Sequence, residues 1–282
     1  MNVVQKLGCL ALAVVQAGAY IFRSRCGLAL YLQLYHEQRV TLLKEYDKQV
    51  QKFDDYQWTV HTTWEISFKQ LSPQATKFLD ICAFLHHEGI SEAIFQNAAA
   101  NIVGYKPNMP MTDQEAQSLG MAKDFLGNFQ KESRAWDIQK FLDLIIEIGS
   151  FSLIEFDEVN KVCSLHPLVH EWMVTRLSNA IMTCGCAQWI LGMSVKWKFE
   201  LEDYQFRQTL LPHVATVLQS GVIPFTYIAS ALGLLYYEGG HWDKAGQLFV
   251  QVMDTRKRVL GEEHPDTLTS MGNLASTFRN QG

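Results

Sequence analysis

Hydrophobic positions recur every three or four residues along most of the chain, the spacing that lines one face of an α-helix. Leu7, Leu10, Ala11, Val14 and Gly18 follow it, and so do Leu28, Tyr31, Leu32 and Tyr35. The stretch 7–22 is apolar apart from Gln16. It reads as a buried helix, or as the apolar part of a signal peptide with Ala17-Gly18-Ala19 as the cleavage site. Gln16 and the single preceding Lys6 favour the buried helix. The polar segment 47–57 breaks the pattern and marks a boundary. Helical spacing resumes over 60–71 through Trp64 and Phe68. Ser72-Pro73 then starts a helix, with Ser as cap and Pro in the first turn. That helix carries Phe78, Leu79, Cys82 and Leu85 and is expected to end at Gly89. Ser91 is expected to cap a short helix holding Glu92 in its first turn, then Ile94 and Phe95.

Residues 104–111 contain two prolines and a glycine and read as a loop. Two helices follow, over about 113–129 and 135–148. One stretch alternates like sheet: 151–156 and 161–165 flank the polar turn Asp157-Glu158-Val159-Asn160. Several helices followed by one β-hairpin is the winged-helix pattern. From Pro167 onward only helical spacing appears. Near the end, Gly240 and Gly282 stand 42 positions apart, and in that register Leu232 falls on Leu274, Gly233 on Ala275 and Tyr236 on Phe278. One large, one small and one aromatic position on a helical face is the logic of a helix–turn–helix solenoid. Between the copies, Trp242, Ala245, Leu248, Phe249 and Val252 share one face of a helix that Gly261 ends. Leu268, Met271, Leu274, Ala275 and Phe278 make an apolar face on the last helix, and its uncovered part predicts self-association.

Composition narrows the class of function. The 282 residues are 48% hydrophobic and 19% charged, which is ordinary for a globular chain and excludes a disordered polymer. Against 29 acidic residues stand 24 Lys and Arg, a net charge of −5, a poor match for nucleic acid or an anionic membrane. The helix expected to read DNA carries Asp137, Lys140, Asp143 and Glu147, and the hairpin carries Glu155, Asp157, Glu158 and Lys161. Both would repel a phosphate backbone. The six cysteines include no CxxC pair, and no N-x-[ST] sequon occurs, which points to a reducing, cytoplasmic setting.

The end of the chain resembles the kinesin-light-chain-like class of tetratricopeptide repeats. The matching residues are His241-Trp242-Asp243-Lys244-Ala245, Arg256-Lys257-Arg258-Val259-Leu260-Gly261, His264-Pro265-Asp266-Thr267-Leu268 and Asn273-Leu274-Ala275. The front resembles the second half of an NB-ARC ATPase module of fungal Nod-like receptor (STAND-type) proteins. There, Leu7-Gly8-Cys9-Leu10-Ala11-Leu12-Ala13 and Gln16-Ala17-Gly18-Ala19-Tyr20 look like the motif that opens its helical subdomain. Ala11 stands where many members carry a proline. Leu165-His166-Pro167-Leu168-Val169-His170-Glu171-Trp172 looks like the histidine motif that follows the winged-helix hairpin. The resemblance implies that His166 is the ancestral sensor of the ADP β-phosphate. No G-x-x-x-x-G-K-[ST] loop occurs in the chain, so no ATP hydrolysis by this chain alone is expected.

Other chemistries are weaker on the residues. Cys163, His166 and His170 have metal-like spacing but lack a fourth ligand. Cys184-Gly185-Cys186 reads as ordinary thiols, and Arg256-Lys257-Arg258 as a solvated helix end. Trp189, Trp197, Phe199, Tyr204 and Phe206 read as a packing joint. The expected organisation is mainly α: a partial NB-ARC helical subdomain over 1–60, a winged-helix-like domain over 61–178, a helical connector over 179–224, and tetratricopeptide repeats, one complete and one truncated, over 225–282. The expected function is non-enzymatic: regulation and recognition of a protein partner in a STAND-type signalling ATPase. No metal or cofactor is expected in the chain, with ADP or ATP bound only if a nucleotide-binding domain is supplied, and no nucleic acid or membrane partner. The alternative is a nucleotide-independent tetratricopeptide adaptor.

Overall fold

A computed structural model describes residues 3–46, 55–197, 200–222 and 224–281. Residues 47–54 of the expected boundary segment, Phe199 of the aromatic joint and Gly282 of the repeat register lie outside the described residues. The fold is mainly α with three short strands. The first half contains α1 (Val3–Lys6), α2 (Ala11–Ser24), α3 (Leu28–Tyr46), α4 (Asp55–Phe68), α5 (Pro73–Cys82), β1 (Ile90–Ser91), α6 (Glu92–Ile102) and α7 (Asp113–Gly127). Then come α8 (Ile138–Gly149), β2 (Glu155–Asp157), β3 (Val162–Ser164), α9 (Pro167–Arg176) and α10 (Ala180–Ser194). The chain closes with α11 (Leu201–Thr209), α12 (Leu211–Gln219), α13 (Thr226–Glu238), α14 (Trp242–Leu260) and α15 (Pro265–Gln281). Two compact units result: Met1–Leu79 with Gln139–Arg176, and Asp80–Ile138 with Leu177–Gly282.

In the first unit α2, α3 and α4 pack on one another. Gly8 and Cys9 take positive φ angles of 63° and 58°, which break the helix and separate α1 from α2. The face of α2 that turns inward is Ala13, Gln16, Ala17 and Tyr20. Ala11 and Gly18, expected inside, face water. An apolar run on every side has no preferred face, and the one polar residue settles the phase. Gln16 is buried, and its Nε2 donates to the Ser152 carbonyl. Trp64 of α4 lies 5.5 Å from Trp172 of α9, and Phe68 meets Trp172 edge-on at 5.8 Å. The Arg176 guanidinium lies 3.5 Å from the Phe68 ring centre and 3.7 Å from the Glu65 carboxylate, so its charge is matched where its stem is covered.

Ser72 caps α5 as its sequence predicts: Oγ accepts the Ala75 N–H at 3.2 Å. Glu147 of α8 adds a carboxylate there, accepting the Ser72 N–H at 2.6 Å and its hydroxyl at 2.8 Å. The hairpin also forms, with Phe156 opposite Cys163. Its turn is closed by Asp157, whose Oδ1 accepts the N–H groups of Val159 and Asn160 at 2.8 and 3.1 Å. The bonds from Asn160 and Val159 hold the Asp157 carboxyl below its ordinary pKa. The first hairpin strand is shorter than expected, because Ser152 takes a φ of 54° and Phe151, Leu153 and Ile154 are buried ahead of it.

The second unit is built on α10. Every residue from Thr183 to Ser194 is buried, and α6, α7, α12 and α13 pack around it. Such a helix must be apolar on every side, and it needs small residues where neighbours come close. A Cβ added to Gly185 would stand 2.6 Å from Ser118 Oγ of α7, and one on Gly192 would stand 2.6 Å from Ile228 of α13. Gly185 lies between two buried cysteines. Burial pushes the Cys184 thiol pKa up, and its sulfur meets Ser220 Oγ at 3.1 Å.

Two expected helix ends differ here. The helix expected to reach Gly89 stops at Cys82. Residues 86–89 are instead held by His213 of α12. Its Nδ1 accepts the His86 N–H at 3.1 Å, which leaves Nε2–H to donate to the Gly89 carbonyl at 3.1 Å. Gly89 accommodates the turn with φ +74°. Ser91 has the extended backbone of a cap, but its side chain makes no cap bond. Glu92 turns inward and accepts the Trp136 indole N–H at 2.7 Å. By contrast α7 has a full capping box, Thr112 with Glu115, which the sequence pattern T-x-x-E carries.

The repeat follows the expected register in its first copy. Leu232, Gly233 and Tyr236 are buried against α14, and Ala245, Leu248, Phe249 and Val252 face them. A Cβ on Gly233 would stand 2.7 Å from the Phe249 ring. Arg256 is not solvated as its basic neighbours suggest. It is buried, and Nη1 donates to the Asp266 carbonyl at 3.1 Å and to Ser270 Oγ at 2.7 Å, which ties α14 to α15.

Two predictions follow from this packing. Gly233→Ala gains roughly 1 kcal/mol of helix propensity but loses about 1–3 kcal/mol to overpacking, so urea denaturation should show a net loss of about 1 kcal/mol. Phe249→Leu in the same chain should relieve part of that loss, a positive coupling in a double-mutant cycle. The second concerns acid. Burial pushes His213 down from its ordinary pKa to about 4. Between about pH 6.5 and 4 the unfolded chain takes up a proton that the folded chain refuses, so stability falls as pH falls. The fall from this residue should be on the order of 3 kcal/mol, and His213→Gln should flatten the slope in that window.

Candidate functional site

Two places in the chain bear on function. The first is His166, at the junction of β3 and α9. The residue is exposed and precedes Pro167, which opens α9. Its carbonyl accepts the His170 N–H at 3.0 Å, and its Nδ1 accepts the Leu168 N–H at 3.2 Å. The side chain therefore acts as a helix cap, satisfying an N–H that the first turn leaves without a partner. With Nδ1 accepting, the neutral ring carries its proton on Nε2. Cys163 is buried while His166 faces water, and among the described residues no three His, Cys, Asp or Glu side chains converge as a metal site.

The second place is the face of α15. Thr267, Ser270, Leu274 and Thr277 turn inward, the side on which α14 packs. Leu268 is 54% exposed and Phe278 53%, with Ala275 exposed beside them. These last two stand in the register of Gly233 and Tyr236, which α14 covers in the first copy. The small and aromatic positions of the pattern are thus open to water on α15, while its large position, Leu274, is buried as Leu232 is in the first copy. An open apolar face of this kind suits a further helix or strand packed on it.

The aromatic joint is divided. Trp189 is buried and stacks on Phe225 at 5.9 Å and on Tyr227 at 6.1 Å. Tyr105 of the α6–α7 loop joins them, 5.2 Å from Trp189. Trp197 and Tyr204 are more exposed and flank Arg207 at 5.6 and 5.9 Å. That buried guanidinium pairs with Glu238 at 2.6 Å and donates to the Lys196 carbonyl at 2.8 Å. Sequence reasoning named Trp189, Trp197 and Tyr204 but missed Tyr105, Phe225 and Tyr227, which only the fold brings to Trp189.

Comparison with known proteins fits the described geometry. A tetratricopeptide-repeat family model matches residues 226–282, the helices α13 to α15. A model for a domain of unknown function, DUF7779, matches residues 66–182. A nucleotide-binding leucine-rich repeat (NLR)-like protein of Hyaloscypha variabilis is 24% identical over 287 residues, covering 96% of this chain. The chain spans 25% of that relative's length. No solved structure matches. Among the described residues, no helix is long and apolar enough to cross a membrane.

His166 gives a test of the cap. His166→Ala should lose about 0.5–1 kcal/mol in urea denaturation as the cap is removed. His166→Asn should keep most of that stability, since Asn caps well, while removing the imidazole.

Proposed function

We propose that this chain is the regulatory, protein-recognising part of a Nod-like signalling protein of the STAND type. The observation that carries the reading is the open face of α15, a tetratricopeptide helix whose exposed Ala275 and Phe278 stand in register with the buried Gly233 and Tyr236, with Leu268 exposed on the same helix. The similarity to an NLR-like protein along nearly the whole chain supports it. Residues 61–178 act as a winged-helix-like domain that couples partner contact to a nucleotide-bound neighbour, by shifting the balance between closed and open states. Residues 1–60 belong to the helical subdomain of an NB-ARC module, and 179–224 connect it to the repeats. The setting is cytoplasmic and the role non-enzymatic.

His166 is suited to a sensor's part in one respect: its Nε2–H is a donor that a phosphate oxygen accepts. It is one donor, and the chain has no phosphate-cradling loop, so ADP or ATP comes with a nucleotide-binding domain supplied alongside. A second reading is a tetratricopeptide adaptor that works without nucleotide, which the repeat match alone supports.

Co-purification from the native cell tests recognition. Leu268→Glu with Phe278→Glu places two charges on the open face while leaving the inward side of α15 untouched. The wild-type chain should recover a partner that the double variant loses, and the same set of proteins with both chains would sink the reading. Sedimentation velocity should show self-association of the wild-type chain, reduced in the variant. A monomer at every concentration would remove that part.

A further inference from the structure

Within the second unit, the α6–α7 loop, the end of α10 and the start of α13 surround a cavity of about 630 Å³. Tyr105, Trp197 and Tyr227 form its apolar wall, and Lys106 and Lys196 stand at its edge. Its size is in the range of sites that take small ligands and short segments. Trp197 is 44% exposed and Tyr227 38%, so large apolar area is left in water.

The charged side chains that line it are both cationic. No acidic side chain lines the cavity, and neither lysine has an ion-pair partner among the described residues. In a chain of net charge −5 this is a local reversal of sign. Two carboxylates stand behind the lining and keep their charge: Glu115, in the α7 capping box, acts on Tyr105, and Asp266 accepts from the side-chain amide of the lining Asn108 at 2.7 Å. Burial and the Tyr227 and Glu115 neighbours push the Tyr105 pKa up to about 12, so its hydroxyl adds no negative charge near neutral pH.

The shape of the wall selects among anions. Tyr105 lies 4.8 Å from Tyr227 and 5.2 Å from Trp189, and Trp189 stacks on Tyr227 at 18°. These rings spend their faces on one another, which leaves less for stacking a planar base. What remains is apolar area beside two cations. The wall is also braced: Asn101 donates to the Met193 carbonyl at 2.8 Å, and the Asn108–Asp266 bond fastens the loop to α15. A wall that is already ordered costs less to bind against.

We propose that this cavity docks an acidic segment of a protein partner, with carboxylates on Lys106 and Lys196 and an apolar side chain between them against Trp197 and Tyr227. The inference rests on the protein-recognition reading and names the chemistry of the partner. It places part of that recognition outside the repeat helices, on residues that a tetratricopeptide pattern does not include.

The test is fluorescence anisotropy on the full chain with a fluorescein-labelled, end-blocked peptide Glu-Glu-Leu-Glu-Glu at low salt. The expected result is saturable binding that weakens with salt and is about tenfold weaker for Gln-Gln-Leu-Gln-Gln. Lys106→Glu with Lys196→Glu should weaken the acidic peptide about tenfold or more, since it turns two exposed attractions into repulsions. It should also bring in binding of Lys-Lys-Leu-Lys-Lys, a gain that misfolding does not produce, with an unchanged circular dichroism spectrum. Equal binding of the Glu and Gln peptides, no effect of the charge reversal, or no binding at all overturns the proposal. ATP binding at these lysines without peptide binding overturns it in favour of a nucleotide site. Acidic-peptide binding that survives the charge reversal but is lost with Leu268→Glu and Phe278→Glu removes this cavity and leaves the recognition reading standing.

Discussion

The second unit depends on burying one helix on all sides. For α10 to sit among four other helices it must show no charge, and it carries none from Ala180 to Ser194. It must also be thin where the neighbours cross, and Gly185 and Gly192 supply that. Protein interiors are packed like crystals, so each close approach fixes the next. Once α13 sits on Gly192, the start of the repeat is placed relative to α6 and α7. The Tyr105, Trp189 and Tyr227 cluster is the visible result, with one ring from each of three segments far apart in sequence.

How much was legible in the sequence varies by the range of the forces involved. The hairpin could be read because its turn is closed locally, by Asp157 on the next residues. The repeat could be read because its register repeats large, small and aromatic positions within one chain segment. The end of α5 could not. Leu85 continues the apolar spacing, and the bond that redirects residues 86–89 comes from His213, more than a hundred positions later. Arg256 misled for the same reason. Its two basic neighbours look like solvent, and its partners lie on the next helix. Of the candidate site, the open face of α15 was legible from spacing, and His166 only through a resemblance. The two lysines beside the cavity come from separate loops, and no local pattern joins them.

The two proposals combine an open helix face with a cavity lined by two lysines, on a chain whose total charge is negative. This separation of sign has a physical use. A net negative body repels acidic proteins at long range, while screening limits that repulsion to about 8–10 Å at physiological salt. Within that distance local lysines govern. On the proposed reading, contact would be selected by the match at short range, with general attraction to anions kept low.

Gln16 carries a mechanical consequence. Its amide is buried on α2 and bonds the carbonyl of Ser152, a residue whose left-handed backbone turns that carbonyl toward it. Rolling α2 about its own axis would break this bond and leave the buried Gln16 amide without its partner, a cost of about 1–3 kcal/mol. Sliding it by one turn would do the same. This bond therefore ties the roll of α2 to the turn after α8, two segments more than a hundred positions apart in the chain.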